Sequence, residues 1–253
     1  MTEQEQERQR AIRLKLSRLD SGVLSRPPAI LPTGFAALDA ALGAGGLPLG
    51  AIAEIFGASG SGKTTLALQL AAHAQANGIG AAWIDVDRCF DPAYAASLGV
   101  ALERLAVVMP ESAEEAFEMA GKLAASQAIG LLIVDSAAAL VPAIELDLAI
   151  GTGGAGLHGR VLAAGLQKLA VAVARSGVAI VFLNQTRSRM DAVGDADTSA
   201  GGASLKLHAA VRIALEPAGA SSVHFRVLKN KAGVVYGRGE LRWKPGAGFV
   251  ETA

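Results

Sequence analysis

The sequence predicts an α/β domain with a mostly parallel central sheet flanked by helices, an antiparallel extension and an N-terminal helix. Three observations predict it. Apolar runs of strand length alternate with helical stretches from Ala51 to Leu183, and strands that are apolar throughout belong in a sheet covered on both faces. One such run opens into a glycine-rich loop and then into a strong helix former. After Gly201-Gly202 the texture changes to strands without helices, which reads as antiparallel pairing on the same sheet.

Residues 3–20 form the first expected element, a charged helix with Ile12, Leu16 and Leu19 on one stripe, closed by Ser21-Gly22. Ser25-Arg26-Pro27-Pro28 then interrupts regular structure, so residues 1–30 read as a helix and linker ahead of a core at 31–253. A helix cut off in this way either packs back or docks on another chain. Strands are expected at Ala51–Phe56, Ala81–Asp85, Leu105–Val108, Leu131–Asp135 and Val178–Leu183, with helices around 65–77, 91–98, 112–126 and 157–176 between them. The later strands are Val211–Leu215, Val223–Leu228 and Glu240–Trp243, and no internal repeat is present.

Composition narrows the class. A chain of 253 residues, 51% apolar with 30 glycines and only 4% aromatics, suits Ala/Val/Leu-rich helices on a parallel sheet in one large core. Its 23 basic and 23 acidic residues balance, so any nucleic-acid contact must come from a local patch. The single cysteine, Cys89, excludes an internal disulfide and fits a reducing compartment. Mean hydropathy is +0.38, yet every apolar run of spanning length is interrupted, and the acidic start Met1–Glu7 is the reverse of a secretory signal. A cytoplasmic protein without membrane contact is expected.

Gly57-Ala58-Ser59-Gly60-Ser61-Gly62-Lys63-Thr64 is a full G-x-x-x-x-G-K-[ST] phosphate-binding loop, directly after the apolar run Ala51–Phe56. A strand ending in such a turn and opening into a helix aims backbone N–H groups and the positive end of the helix dipole at one point. A polyphosphate is the expected occupant, with Lys63 reaching its β and γ groups, Thr64 holding Mg²⁺ and Thr65 adding a contact. Three strand ends supply further chemistry. Asp135 closes Leu131–Asp135 and is expected to hold Mg²⁺ beside the loop. The Asp85 and Asp87 carboxylates follow Trp83-Ile84 and are candidates to orient an attacking water. Asn184-Gln185 ends a fourth strand with two amides able to sense a terminal phosphate.

These motifs resemble one family, the bacterial RecA recombinases. The similar segments are Leu38–Gly50, Asp91–Val100, Val134-Asp135-Ser136, Phe182–Arg187, Gly201-Gly202 and Lys229-Asn230-Lys231, and the likeness runs from about Leu31 to Val250. The resemblance implies a RecA-type P-loop ATPase core using ATP and Mg²⁺. It implies that Asp91 and Tyr94 contact the adenine, with Tyr94 stacking on it, that Gln185 senses the γ-phosphate, and that Lys229 and Lys231 act on ATP held by a neighbouring subunit. Lysines at a subunit interface can stabilise phosphate charge as an arginine finger does.

Two segments, about Leu146–Leu157 and Thr186–Gly201, resemble the family's loops for single-stranded DNA. The resemblance assigns DNA contacts to Arg160, Arg187, Arg189, Met190, Gly201, Gly202 and Lys206, with Arg212 as a further phosphate contact. It also implies that the N-terminal helix docks on the adjacent protomer, a head-to-tail contact that generates a filament.

The chain departs from the family's pattern in four places. Asp87 stands for a catalytic glutamate, one methylene shorter, which sets its carboxylate back by about an ångström. Thr152-Gly153-Gly154-Ala155 is plainer than the family's first loop, and Pro245 replaces an adenine-contacting tyrosine. The chain stops at Ala253, so the family's C-terminal domain is expected to be missing. Two functions remain open: a DNA-dependent ATPase that assembles on single-stranded DNA in recombinational repair, or an ImuA-type accessory with weak or no hydrolysis. The second would act in the damage response beside an error-prone translesion polymerase or a full-length RecA. The intact loop and lysine pair favour the first.

Overall fold

The structure, a computed structural model, describes residues 29–149, 156–186, 199 and 203–251, together with Glu5, Glu7, Gln9 and Arg10, which are helical and exposed. The remainder of the N-terminal segment lies outside the described residues. So do 150–155, Arg187, Arg189, Met190, Gly201 and Gly202.

In chain order the elements are β1 (Ile30–Leu31), α1 (Ala36–Leu42), β2 (Leu47–Pro48), β3 (Ile52–Gly57), α2 (Lys63–Ala76), β4 (Ala81–Asp85), α3 (Pro92–Ser97) and β5 (Leu105–Val108). They continue as α4 (Ala113–Ala125), β6 (Leu131–Asp135), α5 (Ala143–Leu146), α6 (Leu157–Ser176), β7 (Ala179–Gln185), α7 (Ala203–His208), β8 (Val211–Pro217), β9 (Ser222–Asn230), β10 (Arg238–Lys244) and β11 (Gly248–Glu251). One sheet of nine strands has the order β11-β10-β9-β8-β3-β7-β6-β4-β5, and β1 pairs with β2 apart from it.

The period of two along the strands sorts the core. Ala53, Ile55, Trp83, Ile133, Val181 and Ile213 face one side, where α1, α2 and α3 cover them. Ile52, Ile84, Leu132, Val134, Ile180 and Phe182 face the other, under α4 and α6. This is why these strands read as continuous apolar runs. Helix α4 begins with Ser112 accepting from the Glu115 N–H, and its Ala113, Ala116, Ala120 and Ala124 are buried at helical spacing. The α4–α6 pair packs closely, since a Cβ on Gly165 would come within 2.2 Å of the Phe117 ring.

The boundaries expected for β4, β5 and β6 are those found. Several features differ from expectation. Strand β8 pairs in parallel with β3, so the antiparallel extension begins only at β9. Parallel strands need a crossover, and the segment carrying α7 returns the chain to the end where β3 starts. Helix α7 itself lies where only strands were expected. Helix α1, with Leu38 and Leu42 buried one turn apart, and strand β11 are additional. Among the described residues no helix is long and apolar enough to cross a membrane.

Candidate nucleotide-binding site

The phosphate loop joins the middle of the sheet to α2, the helix packed under it. Gly57 ends β3 at a point where a Cβ would meet the Leu215 carbonyl at 2.4 Å. Gly62, the residue before α2, has φ +81°, and a Cβ there would meet the Phe249 ring at 2.3 Å, so both glycines are required by space and one also by backbone. The loop turns tightly at these glycines into the start of α2, and its donor set, the Lys63 cation beside a helix N-terminus, fits an anionic polyphosphate.

Lys63 Nζ donates to the Gly57 and Ala58 carbonyls at 3.0 and 2.7 Å, folding back over the loop. Burial pushes its pKa below the ordinary lysine value, while the Asp135 and Asp87 carboxylates pull the other way. Next along α2, the Thr64 hydroxyl donates to Asp135 Oδ2 at 3.1 Å. Asp135 lies at the end of β6 and is pushed up to about 6, first by burial and then by the neighbouring Asp87 and Asp85 charges; Thr64 and Lys63 oppose this. A hydroxyl and a carboxylate at this separation are a fitting pair of hard oxygen donors for Mg²⁺.

The two candidate carboxylates after β4 differ in role. Asp85 is 1% exposed and accepts from the Cys89 and Phe90 N–H groups, both at 3.0 Å, so it shapes the turn. Asp87 is exposed, and the Ser136 hydroxyl donates to both of its oxygens at 3.2 Å. The Asp87 and Val86 N–H groups both donate to the Asp135 carbonyl, which ties the two acids to one another through backbone.

Gln185 is the exposed last residue of β7, in parallel register with Gly57, and the Thr186 N–H donates to the Gly57 carbonyl at 3.2 Å. On the α3 side, Tyr94 Oη and Thr65 Oγ1 are 2.7 Å apart, so the ring is anchored to the first turn of α2. The Asp91 carboxylate accepts from the Ala93 and Tyr94 N–H groups and caps α3, an occupation the expected adenine contact did not include.

Lys229 and Lys231 stand apart from this cluster. Lys229 Nζ donates to the Lys206 and Leu207 carbonyls at 2.7 and 3.0 Å, closing the C-terminal end of α7. Burial lowers its pKa, and repulsion from Lys231 and Arg212 adds to that. Lys231 is exposed, and among the described residues neither lysine donates to the phosphate loop of its own chain. Arg160, on the first turn of α6, and Lys206 are exposed. Thr186 and Ser199 form an antiparallel bridge that closes the base of the second candidate loop.

Arg212 is a correction. It is 3% exposed, donates to Glu54 Oε2 at 2.5 Å and to Ser199 Oγ at 3.3 Å, and lies 4.5 Å over the Phe56 ring. A cation paired and enclosed in this way is unavailable to a DNA phosphate. Asn184 Nδ2 completes the group by donating to Glu54 Oε1 at 2.8 Å. This network beneath the loop escaped the sequence reading, although a glutamate between Ala53 and Ile55 in an apolar strand signals that a buried partner exists.

Comparisons agree with this architecture. A family model described as RecA N-terminal domain matches residues 18–241. Protein RecA of Mycolicibacterium vanbaalenii is 40% identical over 225 residues, covering 84% of this chain and 64% of that protein. Protein RecA of Frankia alni is 44% identical over 191 residues, covering 75% and 55%. Protein RecA of Thermus thermophilus is 40% identical over 235 residues, covering 88% and 69%. The chain thus spans about two thirds or less of the length of these relatives. On the family match and these identities, over a core of this topology, the chain belongs to the RecA family.

Proposed function

We propose that the protein binds ATP with Mg²⁺ at Gly57–Thr65 and is a DNA-dependent ATPase that assembles on single-stranded DNA in recombinational repair. The observation that carries this is the convergence of Thr64, Asp135, Asp87 and Gln185 on one loop, each from a different strand end or helix start. Thr64 and Asp135 would hold Mg²⁺, which when bound neutralises phosphate charge. Lys63 supplies a cation that exchanges its two loop carbonyls for phosphate oxygens. Asp87 orients the attacking water and takes its proton, with Ser136 fixing the direction of the carboxylate. Gln185 senses the terminal phosphate and is joined by Thr186 to the segment that follows.

Lys229 and Lys231 would act across a subunit boundary on the neighbour's nucleotide, in a head-to-tail filament that the N-terminal helix also holds together. Arg160, Lys206 and the segment 187–202 would contact the DNA backbone. The ImuA-type alternative, an assembly module with little hydrolysis, is favoured by one observation, the short Asp87 side chain at the water-orienting position. Sedimentation with single-stranded DNA tests the first reading. Mg-ATP should drive the protein into fast-sedimenting complexes that Lys231→Ala weakens, and sedimentation indifferent to both ATP and DNA would exclude it.

A further inference from the structure

The carboxylate of Glu54 is fully buried in β3, and its two oxygens are divided between the neighbouring strands. Oε1 accepts from Asn184 Nδ2 on β7, and Oε2 accepts from Arg212 Nε on β8. Register explains the reach, because Glu54 stands opposite Phe182 in β7 and opposite Arg212 in β8. Each arm then leads to one end of the segment 187–198. On the β7 side, Asn184 Oδ1 accepts from the Gln185 N–H at 2.9 Å, and the Thr186 N–H donates to the Gly57 carbonyl at 3.2 Å. On the β8 side, Arg212 Nη2 donates to Ser199 Oγ at 3.3 Å. Thr186 and Ser199 are bridge partners, so the departure and the return of the segment lie side by side.

Stability alone does not account for this arrangement. A buried ion pair adds little over apolar side chains of similar volume, and β3 is otherwise apolar. What the pair supplies is direction. The guanidinium is a flat fork with fixed donor angles, held 4.5 Å over the Phe56 ring, and its Nε is committed to Glu54. That leaves Nη2 aimed at Ser199. Ser199 is 4% exposed, so its hydroxyl meets the cation away from bulk water, where such a bond is stronger. The β8–β9 ladder also shifts register between Arg212 and Ile213, an irregularity of the kind that re-aims side chains beside a site.

We propose that Arg212 is a positioning residue for single-stranded DNA. Acting through the Ser199 hydroxyl, it fixes where the chain returns to the sheet after residues 187–198, against the same carboxylate that holds the Asn184-Gln185 strand end. The inference rests on the reading of segment 187–202 as a DNA contact, and adds that a buried side chain, itself out of reach of DNA, sets that contact. Loss of the Ser199 bond then shows in DNA affinity measured with Mg-ATP, and not in ATP affinity.

Fluorescence anisotropy of a labelled oligothymidylate reads this in the full chain, with and without Mg-ATP, beside ATP affinity and the urea midpoint. Ser199→Ala should raise the protein concentration for half-saturation with Mg-ATP about tenfold, the size of a lost hydrogen bond to a charged group, and leave ATP affinity unchanged. Ser199→Thr, which keeps the hydroxyl, should recover most of the loss. Arg212→Lys keeps a cation for Glu54 without the fork; it should reproduce the alanine effect, and adding Ser199→Ala to it should weaken binding no further. Should the Arg212→Lys chain fail to fold, the two Ser199 variants decide. A Ser199→Ala chain that has a lower urea midpoint yet binds the oligonucleotide as the parent does overturns the positioning role and keeps the DNA reading. Equal losses in the alanine and threonine variants overturn it as well. A parent chain that does not bind the oligonucleotide with Mg-ATP overturns both.

Discussion

The Thr64 hydroxyl donates to the Asp135 carboxylate at 3.1 Å, so the first turn of α2 and the end of β6 meet without an intermediary. Residues 71 positions apart are brought together because β3 and β6 are both neighbours of β7 in a parallel sheet, with their C-terminal ends at one edge. The sheet topology, more than any local sequence feature, assembles the site.

Asp135 should destabilise the chain near neutral pH when no cation is supplied. Its pKa rises from 3.8 to about 6 on folding, chiefly through burial. Below 3.8 the carboxyl is neutral in both states, and as pH rises through 6 the folded state must carry a charge it disfavours. The displacement corresponds to about 3 kcal/mol at most. Asp135→Asn should therefore melt several degrees higher than the parent in EDTA near neutral pH, the gap closing toward about pH 4. The same change should weaken Mg-ATP binding; equal melting of the two proteins at neutral pH would count against the burial argument.

Breaking the Glu54–Arg212 pair should be costly. Arg212→Ala leaves a buried carboxylate without its cation and is expected to lose about 3–5 kcal/mol, readable as an earlier urea midpoint. Replacing Glu54 and Arg212 together by Gln and Met should recover much of that loss. Arg160→Ala, at an exposed position, should leave the midpoint unchanged. A mild effect of Arg212→Ala would mean that the pair is not the structural tie described here.

Asp87→Glu should raise ATP turnover, since the longer side chain would bring the carboxylate toward the water that the proposed mechanism has it orient. Ser136→Ala should lower it severalfold by releasing the two hydrogen bonds at 3.2 Å. A glutamate variant no faster than the parent would show that reach at this position does not limit the rate.

Lys231→Ala should leave ATP binding by the isolated chain unchanged and reduce turnover in assemblies at least tenfold, as expected of a cation acting from a neighbour. Equilibrium binding at protein concentrations below assembly, set beside turnover above it, separates the two effects. Equal losses in both would place the lysine in its own chain's site.

Much of this was legible in the sequence where the signal is local. The unit Ala51–Thr65 reads as strand, loop and helix because glycine spacing and apolar runs are short-range properties, and β4 to β6 were bounded by the same means. Strand β11 was not legible: its four residues follow the Pro245-Gly246 turn, and long-range bonds to Gln69 hold it. The role of Arg212 was hidden because alternation does not say whether a basic residue in a strand faces a buried acid or solvent. Asp85 and Asp87 were told apart in the sequence by the family resemblance alone; the physical reason appears only in the turn at Cys89-Phe90, whose N–H groups occupy the Asp85 carboxylate. Lys229 was marked by resemblance alone, and its contact with the end of α7 depends on a helix the sequence reading did not include.

The most direct test of the central claim is steady-state ATP turnover by the full chain with Mg²⁺, measured with and without single-stranded DNA, beside Lys63→Ala. The account predicts turnover that rises on adding DNA and vanishes in the variant. Tight ATP binding with no turnover under either condition would contradict it.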